Sequence, residues 1–191
     1  DGYFEDPNSP TTTYVPGEND VINGNVDLSI TAQADAPCNT TASDDLSLSI
    51  IEQPQANAGT DQTYCETVQS ITVNDATAGN YSNITWTHNG GGELTNVNST
   101  SPTYEPVESD ITNGSVTLTL TAQPNSPCNE SAIDTKILSF VEQPVADAGQ
   151  DEEICETQSL EITSATADNA SSVTWTSNGS GEFIDVNTLT P

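Results

Sequence analysis

Apart from carboxylates, this chain has few residues of the types that usually carry chemistry. Of its 191 residues, 29 are Asp or Glu, four are Cys, one is His, and Lys136 is the single basic residue. Nucleophilic catalysis needs a general base such as histidine beside an activated Ser or Cys. The only histidine, His88, aligns with Ser177 in the repeat described below, so the repeat does not require it. We therefore expect no enzymatic activity.

The net charge of −28 excludes several classes of partner. Nucleic-acid binding needs Lys and Arg to neutralise phosphates, and an anionic membrane surface would repel this chain. No apolar run approaches the roughly 20 residues of a membrane-spanning helix, and no signal peptide is visible. Met is absent even at position 1, so we expect an internal or processed segment of a longer polypeptide.

Calcium is the one metal that this composition favours, because it binds carboxylate and carbonyl oxygens. No EF-hand loop is present, so diffuse screening by counter-ions is the alternative. The candidate clusters are Asp61 with Glu66, Asp44 with Asp45, Glu108 with Asp110, and Asp147 with Asp151. Asp110 also has a structural interpretation, since its side chain can cap the turn before Gly114. No other cofactor is expected.

The chain contains an internal repeat, because its sequence aligns with itself after a shift of 90 residues. The matched segments are VDLSITAQ at 26–33 with VTLTLTAQ at 116–123, ANAGTDQTYCE at 56–66 with ADAGQDEEICE at 146–156, and, after a one-residue deletion, ITWTHNGGGEL at 84–94 with VTWTSNGSGEF at 173–183. Glu-Gln-Pro follows an apolar strand in both copies, and Pro rarely continues a central strand. We therefore expect residues 54–143 to form a complete repeat, 1–53 the C-terminal half of a preceding repeat, and 144–191 the N-terminal half of a following one.

Short runs with period-2 alternation predict an all-β sandwich for each repeat. The predicted strands are Thr60–Glu66, Gln69–Asp75, Asn83–Thr87, Pro102–Pro106, Val116–Thr121 and Ile137–Val141, with a turn at Asp110–Gly114. Alternation places Trp86, Trp175 and Tyr104 in the core. The alternative for the two tryptophans is an exposed platform that stacks on carbohydrate.

Three motifs carry a resemblance to a known class of repeat: the entry AxAGxD, a Trp in the third strand before a Gly-rich turn, and DxxxGxVxLxLTA. Each unit resembles a PKD-like or immunoglobulin-like repeat. With one Cys after the entry and one before the last strand, the units are similar to tandem repeats of giant surface adhesins of Bacteroidetes, including gliding-motility adhesins exported by type IX secretion.

The resemblance implies tandem immunoglobulin-like (PKD-like) β-sandwich repeats of about 90 residues on the cell surface. It implies a structural role, in which the repeats form a stalk or filament that extends adhesive contacts from the cell. Such sandwiches host many functions, so the adhesion target stays open. The alternative function is a glycan-binding accessory module of a secreted polysaccharide-degrading enzyme.

The four cysteines form two classes, Cys38 with Cys128 and Cys65 with Cys155. An even number at a repeat period predicts an oxidising, extracellular setting, and their spacing does not suit a zinc site. The simplest disulfide is Cys65–Cys128 within the complete repeat, with Cys38 and Cys155 pairing beyond residues 1–191. In a standard sandwich, the end of the first strand and the loop between the last two strands lie at opposite ends. A bridge across a repeat junction is therefore the alternative.

Neither half-repeat has enough residues to bury a core alone. We expect neighbouring repeats of the same polypeptide to complete the two halves. The alternative is that like subunits complete each other in a filament, by strand complementation. The other expected partner is an unknown surface or glycan target.

Overall fold

The computed structural model describes residues Asp1–Pro191 and consists almost entirely of β-strands. Its elements are β1 (Tyr3–Phe4), β2 (Tyr14–Val15), α1 (Glu18–Asn23), β3 (Asn25–Gln33), β4 (Thr41–Ser49), β5 (Gln55–Asn57), β6 (Gln62–Cys65), β7 (Ile71–Thr72), β8 (Thr77–Gly79), β9 (Tyr81–His88), β10 (Glu93–Thr95), β11 (Thr103–Glu105), α2 (Glu108–Asn113), β12 (Ser115–Pro124), β13 (Ala132–Val141), β14 (Val145–Asp147) and β15 (Thr166–Asp168). Neither short helix could cross a membrane.

Residues 54–143 fold as an immunoglobulin-like sandwich of two main sheets. One sheet has the strand order β6-β13-β12-β9 and the other the order β10-β11-β7, while β5 and β8 form a separate pair. The central strands β12 and β13 are antiparallel, and β6 runs parallel to β13, with Cys65 opposite Val141. The all-β sandwich predicted from the alternation is confirmed.

The core of this sandwich follows directly from the alternation in β12. Val116, Leu118, Leu120 and Ala122 are buried, while the threonines between them point away from the core. They pack in one cluster with Trp86 and Tyr104, together with Ile71, Val73 and Leu138. Burial of each large apolar side chain contributes about 1.5–3 kcal/mol. This one cluster therefore holds the two sheets together.

The structure corrects three local predictions, one of them the strand predicted over Gln69–Asp75, of which only Ile71–Thr72 forms a strand. The turn predicted at Asp110–Gly114 is the helix α2, which ends where Gly114 adopts a left-handed φ of 79°. The predicted strand Thr60–Glu66 shortens to β6, because residues 58–61 bond to side chains rather than to a strand.

The flanking segments repeat part of the element order of the complete repeat. β1, β2, α1, β3 and β4 correspond to β10, β11, α2, β12 and β13, and β14 pairs with β15 as β5 pairs with β8. Residues 152–155 and 170–177, which align with β6 and β9, are not strands. In the complete repeat, β6 and β9 bond to β13 and β12, and residues 144–191 have no strands beside them in those places.

Both half-repeats leave apolar surface uncovered. Ile30 in β3 is 60% exposed, whereas Leu120, one repeat later, is 0% exposed. Trp175 is half-buried, whereas Trp86 is 2% exposed. An open hollow beside Trp175 is lined by Ala146, Ala165, Ala167, Val173 and Leu189. The sheet faces that form a core in residues 54–143 are therefore open in both halves.

Candidate functional site: the repeat junction and its anchoring carboxylates

Asp110 is a buried carboxylate that holds the Gly-rich turn and α2 together. Its Oδ1 accepts a hydrogen bond from the amide of Gly91 at 2.6 Å. Its Oδ2 accepts from the Tyr104 hydroxyl at 2.7 Å and from the amides of Gly92 and Val107, each at 3.1 Å. Burial alone raises the pKa of Asp110, but these four donors outweigh it, so the pKa is lowered. This carboxylate is fully used by the fold.

The same arrangement recurs one repeat earlier around Asp20. Its Oδ2 accepts from the Tyr14 hydroxyl at 2.7 Å, from the Gly17 amide at 2.9 Å and from the Gly2 amide at 3.1 Å. The bond from Tyr14, followed by that from Gly17, lowers the pKa of Asp20. The Tyr–Asp arrangement is therefore a property of the repeat, and it forms even where the sandwich is open.

Lys136, the single basic residue, lies completely buried between the sheets. Its Nζ contacts the Asp75 carboxylate at 3.0 and 3.2 Å and donates to the carbonyl of Thr60. The Thr60 amide bond, followed by the bond from Lys136, lowers the pKa of Asp75 to about 2. This pair could not be predicted from the sequence, because the two residues lie 61 positions apart.

Carboxylates also attach the entry segment 58–61 to β13. Asp134 accepts from the amide of Ala58 at 2.7 Å, and Asp61 accepts from the amide of Ile137 at 2.8 Å. Gly59 adopts a φ of +88°, and a Cβ there would lie within 2.6 Å of the Asp75 carboxylate. The AxAGxD motif is thus a tight backbone turn held down by acidic side chains.

The structure does not bring the predicted calcium ligands together. Asp110 is buried in α2 and already accepts four hydrogen bonds, while Asp61 accepts from β13. Asp147 accepts from the amide of Gly149 at 2.8 Å, and Asp151 is exposed. Glu66 follows β6. No group of three or more His, Cys, Asp or Glu side chains could hold a metal ion. Specific calcium binding stays a prediction, and an unchanged thermal midpoint on adding calcium after chelation would exclude it.

The two tryptophans and the histidine make their contacts within the fold. Trp86 donates its indole N–H to the carbonyl of Ser99 at 2.9 Å, and Trp175 makes the matching bond to Thr188 at 2.8 Å. His88 packs against Tyr104 with ring centroids 5.1 Å apart, and its buried Nδ1 has no hydrogen-bond partner. His88 is therefore not paired with a nucleophile, and Trp86 is not available as a surface platform.

The junctions between repeats carry one repeated contact. The Glu52 carboxylate, in the first Glu-Gln-Pro, accepts from the side-chain amide of Asn80. At the second junction, Glu142 accepts from Asn169 at 2.8 Å. Both asparagines have a positive φ, 56° and 55°. In the sequence, only the identical Glu-Gln-Pro segments point to this position. They predicted a repeat boundary there, but not the hydrogen bond between Glu and Asn.

All four cysteines are free thiols in this structure. Cys65 ends β6 opposite Val141, beside the second junction. Cys128 lies at the first junction, where its Sγ is 3.3 Å from the carbonyl oxygen of Ile51. The pairing expected between Cys65 and Cys128 is not formed here.

No family model and no curated protein matches this chain. Among solved structures, the chain is similar to the solution structure of the PKD domain from KIAA 1837 protein, at 21% identity and a TM-score of 0.38, over 52% of this chain and 93% of that one. The class, an all-β immunoglobulin-like sandwich, follows from the strand order and core described above.

Proposed function

We propose that this chain is a run of tandem structural repeats in an extracellular stalk or filament that extends adhesive contacts from a bacterial cell. The observation that carries the proposal is the repeated junction, in which Glu52 binds Asn80 and Glu142 binds Asn169. One contact made at each boundary joins successive repeats in a single geometry. A stalk built in this way lengthens in proportion to its number of repeats.

The open half-repeats support the same proposal. Each half presents the apolar face that the missing half covers in residues 54–143. We propose that neighbouring repeats of the same polypeptide, or like subunits of a filament, cover these faces. In this arrangement residues 1–53 and 144–191 are parts of complete sandwiches, and no apolar face is left in water.

The chemistry of the chain supports a structural rather than an enzymatic role. Its carboxylates hold turns and strands, and its single histidine has no catalytic partner. The net charge of −28 keeps neighbouring filaments apart in solution. The likeness of the motifs to those of surface adhesins of Bacteroidetes exported by type IX secretion supports the cell-surface location.

Antibody labelling of intact source cells tests this function. An antibody raised against residues 54–143 should label unpermeabilised cells, with the label displaced outward from the envelope in electron micrographs. Label that appears only after permeabilisation would contradict the proposal. Strong and selective binding of the chain to one glycan on an array would instead favour the accessory-module function.

A further inference from the structure

The two cysteine classes lie at opposite ends of the same strand. Cys65 is opposite Val141, the last residue of β13, whereas Cys128 precedes Ala132, the first residue. β13 has ten residues, so its ends are roughly 30 Å apart at about 3.3 Å per residue. A disulfide requires about 4.4–6.8 Å between the two Cα atoms. Cys65 and Cys128 of one repeat are therefore too far apart to bond.

Each cysteine class lies instead against the end of a repeat's last strand. Cys128 Sγ lies 3.3 Å from the carbonyl oxygen of Ile51 and 4.0 Å from that of Glu52, which belong to the preceding repeat. Ile51 and Val141 occupy the same position of the repeat. Cys65 is paired in register with Val141, and the next amide, of Glu66, donates to the Val141 carbonyl at 2.9 Å.

The same carbonyl position is thus approached from two sides. Within a repeat it is contacted by the residue that follows the β6 cysteine, and from the next repeat it is contacted by the cysteine before β13. Around Ile51 only the second contact exists, because the β6 cysteine of that repeat would precede Asp1. Around Val141 only the first exists, because the second cysteine would follow Pro191.

We propose that the β6 cysteine of each repeat forms a disulfide with the cysteine before β13 of the following repeat. Cys65 then bonds to a cysteine that lies one repeat beyond the position of Cys128, and every junction carries one covalent cross-link. The inference rests on the tandem arrangement of the proposed function. It adds a chemical bond that holds adjacent repeats together when the stalk is under tension.

The surroundings of Cys65 suit disulfide exchange. Hydrogen bonds from the side chain and amide of Thr67, with a further one from the side chain of Gln143, lower the pKa of Cys65. A lower pKa favours the thiolate, the form that attacks disulfides. Both Cys65 and its counterpart Cys155 are exposed, and Cys128 is half-buried, so a small oxidant can reach them.

A small-molecule disulfide such as oxidised glutathione can serve as the oxidant that forms this disulfide. The Cys65 thiolate attacks one glutathione sulfur, which forms a mixed disulfide and releases the first glutathione thiolate. The thiolate of the partner cysteine then displaces the second glutathione thiolate and forms the protein disulfide. The two protons lost by the cysteines end on the two glutathione thiols, and the two electrons reduce the glutathione disulfide.

A tandem fusion provides the neighbouring repeat. In the tandem fusion, residues 1–179 are followed directly by residues 1–191, because Gly179 aligns with Gly90 and Asp1 with Gly91. The repeat register then runs without a break from the first copy into the second. Residues 144–179 of the first copy and 1–53 of the second form one complete repeat, so two junctions have both of their cysteines.

Disulfide mapping of the tandem fusion tests the proposal. The protein is oxidised with glutathione disulfide, digested at its Asp and Glu residues, and analysed by mass spectrometry without reduction. We expect Cys65 of the first copy linked to Cys38 of the second, and Cys155 of the first linked to Cys128 of the second. A Cys65–Cys128 link within one copy, or free thiols at all four positions, would overturn the inference.

A matched variant separates the two cross-links. Cys65→Ser in the first copy should leave Cys38 of the second copy as a free thiol, while the Cys155–Cys128 link persists. Loss of both links would contradict independent cross-links at each junction. Shape distinguishes the failure of this inference from that of the proposed function: an extended fusion with free thiols overturns only the disulfide, whereas a compact fusion overturns the tandem arrangement as well.

Discussion

At the scale of single residues, several acidic side chains anchor the fold of the complete repeat. In the complete repeat Asp61, Asp110 and Asp134 each accept backbone amide bonds, and Asp75 binds the buried Lys136. The composition alone suggested calcium, because sequence cannot show which carboxylates are already occupied by amide donors. Of the predicted calcium ligands, Asp61 and Asp110 are therefore anchors between segments, and specific calcium binding stays a prediction.

Replacing Lys136 and Asp75 together should cost little stability, whereas replacing Asp75 alone should lower the free energy of unfolding. Asp75→Ser leaves a charged amine buried with only the Thr60 carbonyl, and we expect a loss of about 1–3 kcal/mol in the free energy of unfolding. Other repeats supply the matched double variant, because Leu46 and Ser164 occupy these two positions. Lys136→Leu with Asp75→Ser should restore most of the lost stability, as measured by urea unfolding.

Recovery in the double variant is the diagnostic result. If Lys136→Leu/Asp75→Ser is no more stable than Asp75→Ser alone, the two residues are not coupled. The loss in Asp75→Ser then does not come from a buried Lys136 charge without its partner. Lys136→Leu alone is the second control, and it should cost less than Asp75→Ser because the Asp75 side chain is partly exposed.

The same pair predicts how stability depends on pH. The pKa of Asp75 is lowered to about 2 from its ordinary value of 3.8. Because the folded value lies below the unfolded one, the contribution is fully present above about pH 4 and is lost as the pH falls through about 2. Urea midpoints between pH 2 and 5 should fall more steeply for the natural chain than for the double variant. Parallel profiles would contradict this assignment.

Asp110 should be the most sensitive single carboxylate. Asp110→Asn places an NH₂ group against donors that need an acceptor, so we expect the unfolding free energy to fall by at least about 2 kcal/mol. Tyr104→Phe removes only one of the four donors, and about 1 kcal/mol should be lost. Equal losses in the two variants, measured by urea unfolding, would show that the amide bonds from Gly91 and Gly92 contribute little.

At the scale of elements, the prediction succeeded where a local pattern fixes the outcome. The alternation in β12 and the placement of Trp86 in β9 follow from period 2, and both hold in the structure. α2 was missed because its six residues carry no apolar period, and its start depends on Asp110 accepting the Val107 amide. β6 and β9 have no regular counterparts in 144–191, since a strand forms only beside a partner.

The open half-repeats should close when their missing halves are supplied. In the tandem fusion, Trp175 of the first copy gains the second copy's β3 and β4 as neighbours, whereas Trp175 of the second copy does not. In a variant that keeps only Trp175 of the first copy, every other tryptophan is replaced by Phe. We expect its fluorescence emission to be blue-shifted and its quenching by acrylamide to be weaker. The variant that retains only the second copy's Trp175 is the matched control, and identical quenching in the two would contradict completion.

At the scale of the whole molecule, the proposed stalk consists of sandwich repeats stacked in one geometry. The same contact, Glu52 with Asn80 and Glu142 with Asn169, joins successive repeats, and short Glu-Gln-Pro segments leave little slack between them. The charge recurs with the fold, with acidic residues spread through all three segments. The repeat and its boundaries could be recognised from sequence, whereas the junction contact could not, because it depends on the positive φ of Asn80 and Asn169.

Small-angle X-ray scattering tests the stacking of repeats most directly. The chain, the tandem fusion and a fusion with one further copy would be compared, since each added copy contributes two complete repeats. If the repeats stack in one geometry, the maximum dimension should increase by equal steps of about 60 Å, from two ten-residue strands laid end to end. Steps that shrink with copy number, or a maximum dimension that stays nearly constant, would contradict the account.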